Sequence, residues 1–178
     1  IGINGGFFNR IRQLPLGALR RDGVWLSGPI LNRGVIAWDQ DSALQFGRLR
    51  LDQDLVVNGG RRWGLGYLNS GYVQKGLSRY TRAWGPVYRA LSGEEQALLV
   101  RNGIVETMYA STALQRGVPL AAQADLVVAR GGAPLPAQPG DRVTLRLRAN
   151  NRLGEASNVL GGGPLLLQDG RVVLNGRG

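Results

Sequence analysis

Apolar and polar residues alternate with a period of two along most of this chain, in short runs bounded by turn dipeptides. Successive side chains of a strand point to opposite faces, so the pattern predicts a strand-dominated protein in which a long amphipathic helix is absent. Val143 to Arg148 (VTLRLR) places Val143, Leu145 and Leu147 on a core face and Thr144, Arg146 and Arg148 in solvent. Leu44 to Leu51 (LQFGRLRL) alternates with a phase break near Gly47, the pattern of a bulged strand. Glu95 to Arg101, Asn102-Gly103 and Ile104 to Tyr109 predict an antiparallel hairpin, because Asn-Gly supplies the positive φ values of a type I′ turn. Asp22-Gly23 before Val24 and Asp169-Gly170 before Arg171 to Leu174 are turn-then-strand signals of the same kind. Ala110 to Asp141 reads as the least regular stretch, a loop marked by Gly131-Gly132, Pro134, Pro136 and Pro139-Gly140. Its apolar run, Leu126 to Ala129, is too small to be a separate core. The predicted class is α+β, strand-dominated, with a mixed or antiparallel sheet, many glycine turns and few helices, in one domain over residues 1–178.

Composition narrows the chemistry. The 28 glycines among 178 residues are about twice the usual share and show no G-X-Y period, which fits many tight turns and excludes a collagen-like chain. No Cys and no His occur. A thiol nucleophile, a Ser-His-Asp triad, an imidazole acid-base pair and a thiol or imidazole zinc site are therefore all excluded. Carboxylates, hydroxyls, amides, Tyr, Arg and the backbone remain, and no ligand cluster calls for a metal or other cofactor. No stretch of 18 apolar residues is present, so no membrane span is predicted.

The net charge is +10, and Lys75 is the only lysine. Arginine presents a planar fork of donors that suits phosphate and carboxylate, which favours an anionic partner. The basic residues are scattered singly or in pairs, as in Arg20-Arg21 and Arg61-Arg62, with no run of five, so nucleic acid is not the expected partner.

Three segments exceed what turns and strands require. In Asn4-Gly5-Gly6-Phe7-Phe8 the glycines allow close backbone approach, Asn4 offers a donor and an acceptor to a sugar hydroxyl, and Phe7 or Phe8 offers an apolar wall. A glycine bulge ending a buried strand explains the same residues. Gly161-Gly162-Gly163-Pro164 before Leu165-Leu166-Leu167 reads either as an anion-binding nest of backbone N–H groups or as a tight turn into a buried strand. Ser78 to Gly85, with Tyr80, Trp84, Arg79 and Arg82, reads either as a glycan or phosphate cluster or as an edge strand whose aromatics pack on the core.

Taken in order, these segments resemble the phosphodiester glycosidase family, whose best-known relative removes N-acetylglucosamine from a phosphodiester. The resemblance rests on Asn4 to Phe8 as N-G-G-[FY]-F, Pro15 and Gly17 as P-x-G, Asp22-Gly23 with Ser27, and Arg33 to Asp39 as R-x-x-[IL]-x-x-[DG]. Phe46-Gly47-Arg48, Leu68-Asn69, Tyr80 to Gly85 and the glycine-rich strand Gly161 to Gly170 extend it over nearly the whole chain. It implies hydrolysis of a glycosyl phosphodiester, with Asn4, Gly5, Gly6, Phe7, Gly161, Gly162 and Gly163 shaping the pocket and Arg33 meeting the phosphate. It also implies export to the periplasm or beyond, as is common among relatives with this pattern. The family's R-T-A-I-G motif, following helix and D-G-G-G-S motif have no match here, which implies that catalytic groups come in part from a further segment. Ile1-Gly2-Ile3 reads as the inside of a strand and Leu174 to Gly178 as a turn leading onward, so the domain is expected to continue at both ends.

A glycosidase usually sets two carboxylates about the scissile bond. Asp22, Asp141 and Asp169 sit in turns, Asp39, Asp41, Asp52 and Asp54 flank strands, Glu94-Glu95 opens the hairpin, and Glu106, Asp125 and Glu155 lie on or beside strands or in a loop. No pair among them is singled out, and the catalytic residues stay unassigned. The competing expectation is a noncatalytic module that binds acidic exopolysaccharide through its arginines.

Overall fold

A computed structural model describes residues 6–11, 13–41 and 43–173. The protein is a β-rich α+β fold with 49% of its residues in strands and 7% in helices. Its backbone forms two compact units, residues 1–51 with 149–178 and residues 52–148.

The first unit opens with β1 (Phe7–Asn9), β2 (Leu14–Leu16), β3 (Leu19–Arg21), β4 (Val24–Ser27), β5 (Gly34–Trp38) and β6 (Gln45–Arg48). The second contains β7 (Leu51–Val57), β8 (Arg62–Leu65), β9 (Tyr67–Leu68), β10 (Gly76–Thr81), β11 (Val87–Tyr88), β12 (Glu95–Arg101) and β13 (Ile104–Tyr109). It continues with α1 (Ser111–Arg116), β14 (Val118–Pro119), β15 (Ala124–Arg130) and β16 (Val143–Ala149). The chain then returns to the first unit as β17 (Asn158–Gly161), β18 (Leu167–Gln168) and β19 (Arg171–Val172).

In the second unit a five-stranded sheet runs β13-β12-β15-β10-β9. Its pairs are antiparallel except β9 with β10, which is parallel. The central strand β15 explains why Leu126 to Ala129 does not alternate. Leu126 and Val128 enter one apolar cluster, with Tyr88, Leu114 and Val118, while Val127 and Ala129 enter another, with Leu55, Leu65 and Val143. A strand covered on both faces reads as a continuous apolar run. Residues 110–141, which read as loop in the sequence, therefore hold both α1 and the middle strand of this sheet. The β12–β13 hairpin forms where expected, with Asn102 at φ 51° and Gly103 at φ 73°, and a bulge between Leu99 and Val100. In β16, Val143 is buried and Thr144, Arg146 and Arg148 are exposed, as the alternation requires.

The first unit carries a second five-stranded sheet, β4-β3-β17-β5-β6, whose pairs are antiparallel. Strand β17 inserts between β3 and β5, although more than a hundred residues separate it from either in sequence. Val35, Ala37 and Val159 turn to a core shared with Ala18, Leu49 and Ala156. Leu44 to Leu51 is not one bulged strand: β6 ends at Arg48 and β7 begins at Leu51.

Candidate functional site

The face of the first unit's sheet opposite that core forms a cleft. Leu160, Ile36 and Phe46 lie in register across β17, β5 and β6. Alternation along β5 and β17 turns these side chains away from Val35, Ala37 and Val159. They form one wall of a cleft of about 380 Å³ lined also by Gly6, Phe7, Gly34, Gly161, Gly162, Gly163, Pro164, Leu165 and Leu166. The lining is largely apolar, and Phe7, Phe46 and Leu166 are all exposed at its edge. A second hollow of about 240 Å³ lies along Phe7 and Phe8, beside Pro15, Gly17 and Leu19.

Gly6, Phe7, Gly161, Gly162 and Gly163 therefore meet in one place, although 154 to 157 positions separate the two motifs. Arg33 belongs to the same region: its guanidinium carbon sits 5.0 Å from the centroid of the Phe7 ring. Asn4 and Gly5 lie outside the described residues. No carboxylate lines the cleft among the described residues.

The glycine run does not form an anion-binding nest, because two of its consecutive N–H groups are already engaged. Gly161 donates its N–H to the Ala18 carbonyl at 2.7 Å, and Gly162 donates to Gly34 at 2.8 Å. Gly34 in turn donates to Gly163 at 3.0 Å, so the run serves as the seam joining β17 to β3 and to the start of β5. A Cβ on Gly161 would stand 2.8 Å from the Ala18 nitrogen, closer than packed atoms approach, so the strand contact itself demands glycine. The following leucines do not enter a buried strand either. Leu166 and Leu167 are 57% and 60% exposed, and the β18–β19 hairpin they lead into is exposed along its length.

The third sequence segment resolves into packing. Strand β10 is an interior strand flanked by β15 and β9, not an edge. Tyr80 is fully buried and meets Trp84 edge-on at 5.0 Å, and Arg79 bonds Asp125 at 2.8 Å. Asn69, itself buried, accepts from the Thr81 N–H and donates to the Thr81 hydroxyl, tying the residue after β9 to the end of β10.

Sequence reasoning missed the second unit's buried polar network. Arg130 and Glu95, 2% and 0% exposed, pair at 2.7 Å. Arg130 also donates to Ser78, Tyr80 and Tyr88, and Glu95 accepts from Tyr88 and from the Leu91 and Ser92 N–H groups. Burial pushes the Tyr80 and Tyr88 hydroxyls well above the usual tyrosine range. Its members come from three separated stretches, Ser78 with Tyr80, Tyr88 to Glu95, and Arg130, so no single local spacing announces the network. Two further carboxylates, Asp39 and Asp141, are held by structural hydrogen bonds. Asp39 accepts from the Ser157 N–H and hydroxyl at 2.7 Å each, which, the N–H foremost, hold its carboxyl below the usual range. Asp141 is held low by the Gln138 N–H and then by Asn58. No group of three or more acidic residues among those described is placed to hold a metal ion.

A β-rich α+β fold with an apolar, glycine-walled cleft in one unit is thus the class that the structure defines. The chain is similar to a hypothetical protein from Synechocystis whose crystal structure is known, at 43% identity and a TM-score of 0.90. That match covers 97% of this chain and 33% of the Synechocystis chain. It also shares its fold with a "putative exported protein" from Burkholderia pseudomallei, at 20% identity and a TM-score of 0.68, over 90% of this chain and 40% of the other. The chain thus spans a third to two fifths of the proteins it matches. No protein-family model matches it, and no curated protein does.

Proposed function

We propose that this chain supplies the substrate-binding part of a domain that hydrolyses a glycosyl phosphodiester. The observation that supports the reading best is the meeting of Gly6 and Phe7 with Gly161 to Gly163 in one cleft beside Arg33. These are the described motif residues that the family resemblance places at the pocket. In the reaction the bond between the anomeric carbon and the phosphate oxygen breaks, water supplies the new hydroxyl on the sugar, and a phosphate monoester leaves with the second proton. Arg33 meets the phosphate through its donor fork. The acid and base come from outside the cleft lining described above, which carries no carboxylate. Export fits the description of the Burkholderia neighbour as an exported protein and belongs to the same proposal.

The test is release of free sugar from a panel of sugar-1-phosphodiesters by the complete polypeptide, beside this 178-residue chain and the Asn4→Ala and Arg33→Gln variants. Turnover by the complete polypeptide that falls about tenfold or more in Arg33→Gln, the scale of a lost charge-assisted hydrogen bond, is the expected outcome. No sugar release from any substrate would sink the reading.

A second reading, a noncatalytic binder of acidic exopolysaccharide, is favoured by the +10 net charge and by Arg146 and Arg148 side by side on the solvent face of β16. Binding of that kind weakens steeply with added salt, whereas turnover depends on particular cleft residues.

A further inference from the structure

The cleft's chemistry is lopsided in a way that narrows its ligand. Its lining side chains include Phe7, Ile36, Phe46, Leu160, Leu165 and Leu166, and its volume of about 380 Å³ is within the range of small-molecule sites. A sugar ring presents hydroxyls on most of its edges, and burying them against leucine and phenylalanine leaves them without partners, a costly arrangement. An alkyl, isoprenyl or aryl group loses only ordered water there.

Arg33 supplies a cation against this apolar wall. Its guanidinium lies over the Phe7 ring at 5.0 Å, and it has no carboxylate partner among the described residues. A cation over a ring face is held without consuming its N–H donors, which are left for an oxyanion. The next residue, Gly34, lines the cleft. A phosphate bonded to that fork therefore stands at the cleft's edge, with any apolar substituent directed along Phe7 toward Ile36, Phe46 and Leu160.

We infer that the cleft holds an amphiphilic phosphoester, with the phosphate on Arg33 and an alkyl or isoprenyl group in the cleft. The sugar, on the other side of the phosphate, lies outside it. The inference rests on the glycosidase reading only in calling this ligand a substrate.

Isothermal titration of the complete polypeptide with butyl, hexyl and octyl phosphate, beside octanol and inorganic phosphate, tests the binding. Affinity is expected to rise by up to about fourfold per methylene, as full burial of each would give, until the cleft is filled. Arg33→Gln should remove the preference for octyl phosphate over octanol. Leu166→Asn, a polar change without added charge at an exposed position, should weaken octyl phosphate about tenfold or more and flatten the dependence on chain length. Affinity independent of chain length, or no preference for the phosphate, overturns the inference, as does dimerisation through this face with no alkyl phosphate bound. Turnover of sugar-1-phosphodiesters bearing octyl and glyceryl groups then separates the two proposals. Equal turnover of both leaves the glycosidase and overturns the apolar subsite. Chain-length-dependent binding with no turnover supports the subsite and removes the glycosidase.

Discussion

At the scale of single residues, burial decides which charges matter. The Arg130–Glu95 pair is removed from water and fully bonded, whereas Arg101–Glu106, at 3.5 Å, has both side chains about two fifths exposed. Water screens the second pair but not the first. Glu95→Gln leaves a buried guanidinium without its counter-charge and is expected to cost about 3–5 kcal/mol. Glu106→Gln is expected to cost no more than about 1 kcal/mol. Urea denaturation of the two variants measures the contrast, and equal midpoints would show that the network does not carry the stability assigned to it. Neither role is visible in the one-dimensional string, where Glu95 and Glu106 are two acidic residues on neighbouring strands of one hairpin.

At the scale of elements, turns with similar sequence sit in different surroundings. Gly103 and Gly170 have nearly the same backbone, φ 73° and 72°. A Cβ on Gly103 would stand 3.1 Å from the Val143 carbonyl oxygen, while one on Gly170 meets nothing within 4 Å. Gly170→Ala should therefore cost about 1–2 kcal/mol at most, the backbone penalty of the left-handed region. Gly103→Ala carries the same penalty and also strains the bond from the Val143 N–H to the Gly103 carbonyl. Thermal unfolding of both variants should show the larger loss at Gly103, and an equal loss would mean that β16 gives way at no cost. The positive-φ turns were legible because Asn-Gly and Asp-Gly encode them locally. The placement of β15 was not, because a central strand with two covered faces lacks the alternation by which strands are recognised.

At the scale of the whole molecule, stability should depend on pH at both ends of the range. Tyr80 and Tyr88 have folded pKa values raised above 10.0, with burial the leading cause. The folded protein keeps protons that the unfolded chain releases, so this contribution is complete below about pH 10 and is lost as the pH climbs through the raised folded values. Asp39 and Asp141 are lowered from 3.8 by hydrogen bonds to their carboxylates, so their contribution is present above that value and fades as the pH falls through the folded values. Denaturation midpoints between pH 8 and 11.5 should fall at the alkaline end, and Tyr88→Phe should flatten that fall. An alkaline limb unchanged in the variant would assign the loss to other groups.

The sequence by itself determined the strand-dominated class, the three dipeptide hairpin turns and the alternation of β16, because these depend on neighbours within a few residues. It also singled out both halves of the cleft, since a glycine pair before aromatics and a glycine triplet before leucines are conspicuous as local chemistry. Only the tertiary structure decided that Gly6 and Phe7 stand against Gly161 to Gly163, and that the Gly161 and Gly162 N–H groups bond strands in place of an anion. It likewise decided that Arg33 lies on Phe7 and that Arg130 and Glu95 are buried together. Each of these depends on chain-distant segments such as β17 entering between β3 and β5, and such pairing is set by the burial of whole faces, which no local window contains.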